Sequence, residues 1–284
     1  MPIRLTRSRK PALKNRFGTR LGCLGAISAL AVAAAPSPGA IASPAVRISS
    51  QSEQTLQTLL TVRDNAADAS GSELSDIISR QFLDVPYGAN TLIGSATEAE
   101  QLVVDLQEVD CFTYADYVEA LKRSDDREEF IDNLTTVRYK NGVVDFLDRK
   151  HFFTDWSASA PAIATDITKS LSANSIQSTK HLNEKDSGGA YLPGLPVVPR
   201  TVSYIPSGSV DSSVIGRLQT GDYIGAYAED GGLDVTHVGI FVDTADGPVL
   251  RNASSLSENN KVVDSSLLDY LSTVPGMVVL RPVR

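Results

Sequence analysis

Cysteine, histidine and tryptophan are scarce in this sequence, with two, three and one copies among 284 residues. Each shortage excludes something. Cys23 falls inside an N-terminal export pattern, so the exported chain keeps Cys111 alone and no internal disulfide can form, which leaves packing to stabilise it. His151, His181 and His237 are scattered, with no ligand-like spacing to Cys111, so neither a zinc site nor any other cofactor is expected. A phosphate-binding loop, a dinucleotide fingerprint and a Gly-x-Ser-x-Gly elbow are all missing. Beyond Ala35 no apolar run is long enough to cross a bilayer.

The N-terminal residues have their own pattern. Arg4, Arg7, Arg9, Lys10, Lys14, Arg16 and Arg20 form a basic lead with no acidic residue, Leu21 to Ala35 is apolar, and Ala40-Ile41-Ala42 offers small residues for cleavage. This reads as a signal peptide over residues 1–42, with an uncleaved anchor as the alternative. Cys23 stands at the start of the apolar run, which argues against a lipid anchor. Cleavage leaves 19 basic against 34 acidic residues, a formal charge of about −15. So acidic a surface argues against nucleic acid or anionic lipid as partner. The expectation is an exported protein of the periplasm, cell envelope or medium, with no membrane anchor after cleavage and an oligomeric state the sequence leaves open.

Residues 43–54 are small and polar and read as a linker, followed by one catalytic domain over residues 55–284. Leu56, Leu59, Leu60 and Val62 predict a helix over Thr55 to Ala67, and Leu74, Ile77, Ile78 and Phe82 another over Ser72 to Phe82. Pro86-Tyr87-Gly88 starts a loop. Asp110, a favoured N-cap, opens a helix running from Cys111. Gly188 to Pro199 reads as loop. Tyr223–Tyr227, Val235–Val242, Val249–Ala253 and Met277–Val283 predict strands, two of them joined as a hairpin through Asp243 to Pro248. Helices first and antiparallel strands afterwards make an α+β fold.

Three residues carry the chemistry. At a helix N-terminus, Cys111 meets free N–H groups and the positive end of the macrodipole, which favour thiolate and can hold an oxyanion; the alternative is a buried structural thiol. Asp110 opposes the thiolate unless its carboxylate turns back to cap the helix. Strand alternation puts Val235, His237, Gly239 and Phe241 on one face, with Gly239 leaving room beside an imidazole that is either a general base or a satisfied core group. If Asp243 to Asp246 form the turn, Val242 faces Gly247 and His237 lies opposite Asn252, which would hold one tautomer; a two-residue register change keeps the face and moves the partner. Otherwise Asn252 is a turn residue. The run from Arg149 to Trp156 suits either a substrate groove or packing, with His151 in it, while His181 reads as a surface residue.

The order of these pieces resembles the papain-like NlpC/P60 cell-wall hydrolases, and within them the bacterial N-acetylmuramoyl-L-alanine amidase-like family long catalogued as a domain of unknown function. The residues that carry it are Pro86-Tyr87, Asp110-Cys111-Phe112-Thr113, Arg149-Lys150-His151-Phe152 with Trp156, Gly221-Asp222, Gly232 to Gly239, Asn252-Ala253-Ser254-Ser255 and Asp269-Tyr270-Leu271. They span about Leu74 to Arg284. The resemblance implies a papain-like fold with Cys111 as nucleophile, His237 as base then acid, Asn252 as orienting group where relatives often hold histidine, and Tyr87 shaping the oxyanion region. It implies cleavage of the amide between N-acetylmuramate and L-alanine in peptidoglycan or its fragments. A γ-D-glutamyl-diamino acid endopeptidase and an inactive fragment-binding relative are the alternatives. Arg149, His151 and Trp156 are candidate substrate contacts, and Arg149 and Lys150, with Arg138 and Lys140 nearby, would supply a locally basic groove for substrate carboxylates.

Overall fold

The computed structural model describes residues 46–283. The expected signal peptide, with Cys23, lies outside the described residues. From the N-terminus come β1 (Val46–Ile48), α1 (Ser50–Asp64), α2 (Gly71–Arg80), β2 (Leu102–Val104), α3 (Cys111–Lys122) and α4 (Arg127–Arg138). Next are α5 (Asp155–Ala158), β3 (Ala164–Asp166), α6 (Thr168–Leu171), β4 (Ile176–Leu182), β5 (Val198–Pro206) and α7 (Ser212–Ile215). The chain ends with β6 (Tyr223–Tyr227), β7 (Val235–Thr244), β8 (Gly247–Ser254), β9 (Lys261–Ser266), α8 (Leu267–Leu271) and β10 (Gly276–Pro282). Helices dominate the first half and an antiparallel sheet the second, so the fold is α+β. Its strand order is β4-β5-β10-β6-β7-β8-β9, with β3 also pairing β10.

Both faces of this sheet are covered. On one, Val238, Ile240, Val242, Val278 and Leu280 pack with Leu56, Ile78, Tyr114, Val118 and Leu134 of α1 to α4. On the other, Phe241, Leu250, Met277 and Val279 meet Val214, Leu267 and Leu271 from the short helices. The period-two alternation of β7 and β10 divides the two cores. Among the described residues no helix is long and apolar enough to cross a membrane.

Helix α3 is the centre of the first core. Every residue from Thr113 to Leu121 is buried, carboxylates of Asp116 and Glu119 included. A helix hydrated on no side must satisfy its polar groups internally. Arg138 Nε donates to Asp116 Oδ2 at 2.7 Å, Arg138 Nη1 donates to Val103 O at 2.7 Å, and its guanidinium sits 5.2 Å over the Tyr117 ring. Glu119 accepts from Lys122 Nζ at 2.8 Å, Arg123 Nε at 2.7 Å and Tyr223 OH at 2.8 Å.

Two sequence expectations need correction here. Much of the expected linker is structure: β1 pairs parallel with β2, and Ser49 caps a helix that starts five residues before Thr55. Ser52 is fully buried and its hydroxyl accepts from Leu106 N at 3.1 Å, so the polar residues there are caps and anchors. The expected loop up to Pro199 also hides the start of β5. Pro199 is tolerated because β10 pairs only with Ile205 and Pro206, leaving the beginning of β5 with no ladder on that side.

Removing the partner of a buried guanidinium is costly. Asp116→Ala should lower unfolding free energy by about 3–5 kcal/mol, seen as a drop in guanidinium midpoint at constant m-value. A loss below about 1 kcal/mol would mean that Arg138 is hydrated in the fold.

Candidate active site

Cys111 is the first residue of α3, and its position is fixed from both directions. Asp110 Oδ1 accepts from Phe112 N at 3.0 Å and Thr113 N at 2.7 Å, while Thr113 Oγ1 accepts from Asp110 N at 2.9 Å, a reciprocal capping box. Ahead of it, Val109 N donates to Pro86 O at 3.0 Å and Gly88 N to Val109 O at 3.1 Å. Tyr87 N donates to Asn260 O at 3.0 Å, so the Tyr87 loop is held between the start of α3 and the start of β9. The phenol of Tyr87 is shifted up by burial first, and then by Cys111 and Asp110.

Cys111 is half-buried as a residue. Burial and the Asp110 carboxylate push its pKa up to about 12, against backbone N–H groups of Val238, Cys111 and Phe112 that favour the thiolate. Capping therefore spends Asp110 on the helix without removing its field from the sulfur. As the first residue of α3, Cys111 has an N–H with no intrahelical partner, which lies against its own sulfur and could turn to an oxyanion.

Val238 N–H belongs to β7, the strand on which α3 packs, and His237 is its neighbour. His237 Nε2 lies 3.0 Å from Asn252 Oδ1. The amide orientation is determined by its other partners: Asn252 Nδ2 donates to Leu250 O at 3.0 Å and to Ser265 Oγ at 3.1 Å. Oδ1 therefore accepts from the imidazole, Nε2 carries the hydrogen, and Nδ1 keeps its lone pair. Burial lowers the His237 pKa, outweighing the Asn252 bond and the nearby Asp110. Both shifts favour the uncharged forms, thiol and neutral imidazole.

The register that brings His237 to Asn252 is not the one expected. Val242 pairs with Val249 and Thr244 with Gly247, so only Ala245 and Asp246 turn the hairpin. Continued along the ladder, this opposes Asn252 to Gly239, and the bond to His237 runs diagonally on one face. Gly239 leaves no room for the imidazole either. An added Cβ would lie 2.6 Å from Leu250 Cδ1, so the glycine serves the approach of β8.

The polar-aromatic run is mostly scaffold. Trp156 is fully buried, 4.8 Å from the Tyr223 ring and 5.8 Å from that of Phe112, so it contacts no groove. His151 Nε2 donates to Phe146 O at 2.7 Å and its ring packs against Phe146. Of the four expected basic residues, Arg138 and Lys150 are interior; Lys150 Nζ donates to Thr136 O at 2.9 Å. Arg149 does line a cavity of about 520 Å³ with Asp110 and Phe146, but Glu100 neutralises it, accepting from Nε at 2.9 Å. His181 is on the surface beside Glu184.

Sequence reasoning missed two residues. Asp234 is buried and accepts from Thr154 N at 2.7 Å and Thr154 Oγ1 at 2.8 Å, tying the scaffold run to the start of β7 three residues before His237. Tyr270, on α8, has its ring 5.9 Å from the His237 ring and its phenol shifted up by burial and by Cys111. The available signal was its place after Asp269 in the family pattern, to which no role was attached.

A family model described as N-acetylmuramoyl-L-alanine amidase-like matches residues 77–277. Among solved structures, an N-acetylmuramoyl-L-alanine amidase from Bacteroides uniformis is 28% identical with a TM-score of 0.62, covering 75% of this chain and 99% of that one. A Legionella pneumophila protein is 22% identical with a TM-score of 0.69, covering 82% of this chain and 95% of that one. A Bacteroides fragilis protein with the provisional name of xylanase is 26% identical with a TM-score of 0.58, covering 72% and 98%. No curated protein matches this chain.

Burial holds His151 uncharged down to about 4, whereas an unfolded histidine ionises near 6.5. Between those values unfolding takes up a proton, so the contribution is whole above about pH 6.5 and lost as pH falls to about 4. Denaturation of wild type and His151→Gln across this window should show the variant losing less stability on acidification, by about 2–3 kcal/mol. Parallel curves would place the proton uptake elsewhere.

Proposed function

The chain belongs to the N-acetylmuramoyl-L-alanine amidase-like family, and from that membership and the site's geometry we propose an exported cysteine hydrolase. It cleaves the amide between N-acetylmuramate and L-alanine in peptidoglycan or its fragments. The observation that carries this reading is the Asn252 to His237 hydrogen bond on β7, beside the strand N–H that faces the Cys111 sulfur at the start of α3. A nucleophile at a helix N-terminus, a base on a strand and an orienting amide on the next strand support a papain-like placement of the NlpC/P60 kind. The basic lead and apolar run of residues 1–42 support export.

Cys111 Sγ attacks the lactyl carbonyl and its proton passes to His237 Nδ1. The carbonyl oxygen becomes an oxyanion held by the Cys111 N–H with Tyr87 alongside. His237 then returns the proton to the departing L-alanine nitrogen, leaving a thioester that water, deprotonated by the same imidazole, hydrolyses. Burial raises the thiol and lowers the imidazole, so proton transfer from Cys111 to His237 is favoured as the sulfur bonds to the carbonyl carbon. A glycosidase reading would need two facing carboxylates; Asp110, the carboxylate beside the sulfur, is taken up by its cap.

Digestion of muropeptides with the mature protein should release peptides with free L-alanine N-termini, detected by mass spectrometry. Cys111→Ala and His237→Ala should reduce turnover at least about 1,000-fold and Asn252→Ala about 10- to 100-fold. Cleavage further along the stem peptide would replace this bond assignment with the endopeptidase one, and unchanged turnover in Cys111→Ala would end the cysteine mechanism. Because His237 is held below its usual pKa by burial, the acidic limb of kcat/KM should fall below about pH 6.5, with activity lost as pH drops through it.

A further inference from the structure

Helix α8 is short, and its sequence leaves it one orientation. Leu267 and Leu271, four residues apart, are both buried in the second core, and Tyr270 flanks them, packed against that core's edge. Both ends are tied: Ser266 Oγ accepts from Asp269 N at 3.4 Å, and Tyr270 O accepts from Thr273 N at 3.0 Å and Thr273 Oγ1 at 2.7 Å. The helix lies on β8 and β9, the strands that carry Asn252 and Ser265. From there the Tyr270 ring reaches the imidazole of His237, with 5.9 Å between centroids and 44° between planes.

We propose that Tyr270 is a positioning residue of this site: its ring packs on the imidazole, limits rotation about the His237 Cβ–Cγ bond and keeps water off it. The proposal rests on the cysteine-hydrolase reading of the same site. Geometry creates the need. Asn252 Oδ1 holds Nε2, which lies closer to the Cβ–Cγ axis than Nδ1 does. Rotation about that axis therefore displaces Nδ1 more than Nε2, and a single hydrogen bond at Nε2 tolerates a range of ring planes. That bond fixes the tautomer without fixing the nitrogen that exchanges the sulfur's proton. A second ring, at a separation within the range of roughly 4.5–7 Å typical of aromatic pairs, supplies the missing restraint.

The same contact contributes to the burial that lowers the imidazole pKa. The charged groups around it act in the opposite direction: Asp110 at the head of α3, and Asp269, which lines a cavity with His237 and Tyr270. The strands add no charge there, since β6 pairs Ala226 with His237, β8 offers Asn252, and β9 places Ser265 behind it. The Cys111 thiol and the Tyr270 phenol are both shifted up, toward their uncharged forms. Removing the ring admits water while both carboxylates stay, so the imidazole pKa rises.

Tyr270→Ala, assayed on muropeptides, should lower kcat about three- to tenfold with KM within about twofold, the rate equivalent of one aromatic pair. Its acidic limb should move upward, toward the usual histidine value of about 6.5. Tyr270→Phe keeps the ring and should retain at least about two-thirds of kcat, with the limb unmoved. Wild-type kcat and limb in Tyr270→Ala would overturn the proposal, and so would equal losses in Tyr270→Phe, which would assign the role to the hydroxyl. If Tyr270→Ala fails to fold by circular dichroism, Tyr270→Leu, which fills the core edge without a planar face, takes its place with the same expectations. NMR titration of protein labelled with 15N-histidine reads the contact without turnover, the His237 signals being identified by their loss in His237→Gln. A His237 pKa higher in Tyr270→Ala than in wild type, and unchanged in Tyr270→Phe, sustains the packing even where muropeptides are not cleaved and the hydrolase reading has failed. Equal pKa values in all three proteins reject it.

Discussion

A helix with no hydrated face sets the terms for this molecule. Helix α3 runs through the interior with nine consecutive buried residues, two of them carboxylates. Isolated charges there would cost several kcal/mol each. Their partners come from three places: Arg138 from α4, Lys122 and Arg123 from the helix's own end, Tyr223 from β6. Such pairs add little net stability over apolar residues of the same shape, but a shift in the axis would strand them. They fix the register of α3 against sheet and helices. The fixed end of that helix is where Cys111 stands.

Precision at that end has an electrostatic cost. The carboxylate that makes Asp110 a good cap also raises the pKa of the adjacent thiol, and burial raises it further. Both effects favour the thiol over a resting thiolate. The imidazole is prepared in the complementary state, uncharged and turned by an amide whose own orientation is determined by a strand carbonyl. On the proposed mechanism, charge separates only as a carbonyl accepts the sulfur's electrons, and preorganised backbone at the start of α3, not stored charge, favours attack.

The legible parts of the fold were those whose causes are local. Asp110 as N-cap and the β-former runs of β6, β7, β8 and β10 are written in short windows, and each appears within one or two residues of expectation, whereas the alternation expected from Val235 to Phe241 is broken by a bulge at Thr236 that sends Val235 to the other core. The face shared by His237 and Asn252 was legible too, but not their pairing, because turn length depends on conformation. Gly247 at φ +118° and the 2.6 Å bond from Thr244 Oγ1 to its carbonyl close the hairpin over two residues instead of four. The β4–β5 hairpin stayed hidden for a related reason: whether Pro199 can sit in a strand depends on which residues of β10 reach it.

The run from Arg149 to Trp156 shows where a sequence reading misleads. Aromatic and cationic residues interleaved in a window look like a sugar or peptide groove. Their burial is decided far away, by Asp234 gripping Thr154 and by Arg200 Nη1 donating to Thr154 Oγ1 at 2.9 Å. Asp234 lies at the head of β7, so the same contact that buries the run holds the strand carrying His237. The cluster acts on the chemistry through the backbone and not by touching a ligand. The cavities on either side are lined instead by elements of weaker composition: the loop around residues 90–97 beside Asp110, and the serines and α8 beside His237. Short polar segments of this kind carry no periodicity to mark them, yet they are the ones free to vary without disturbing a buried partner. In this architecture the conspicuous residues of the run from Arg149 to Trp156 build the scaffold, and the inconspicuous ones line the cavities.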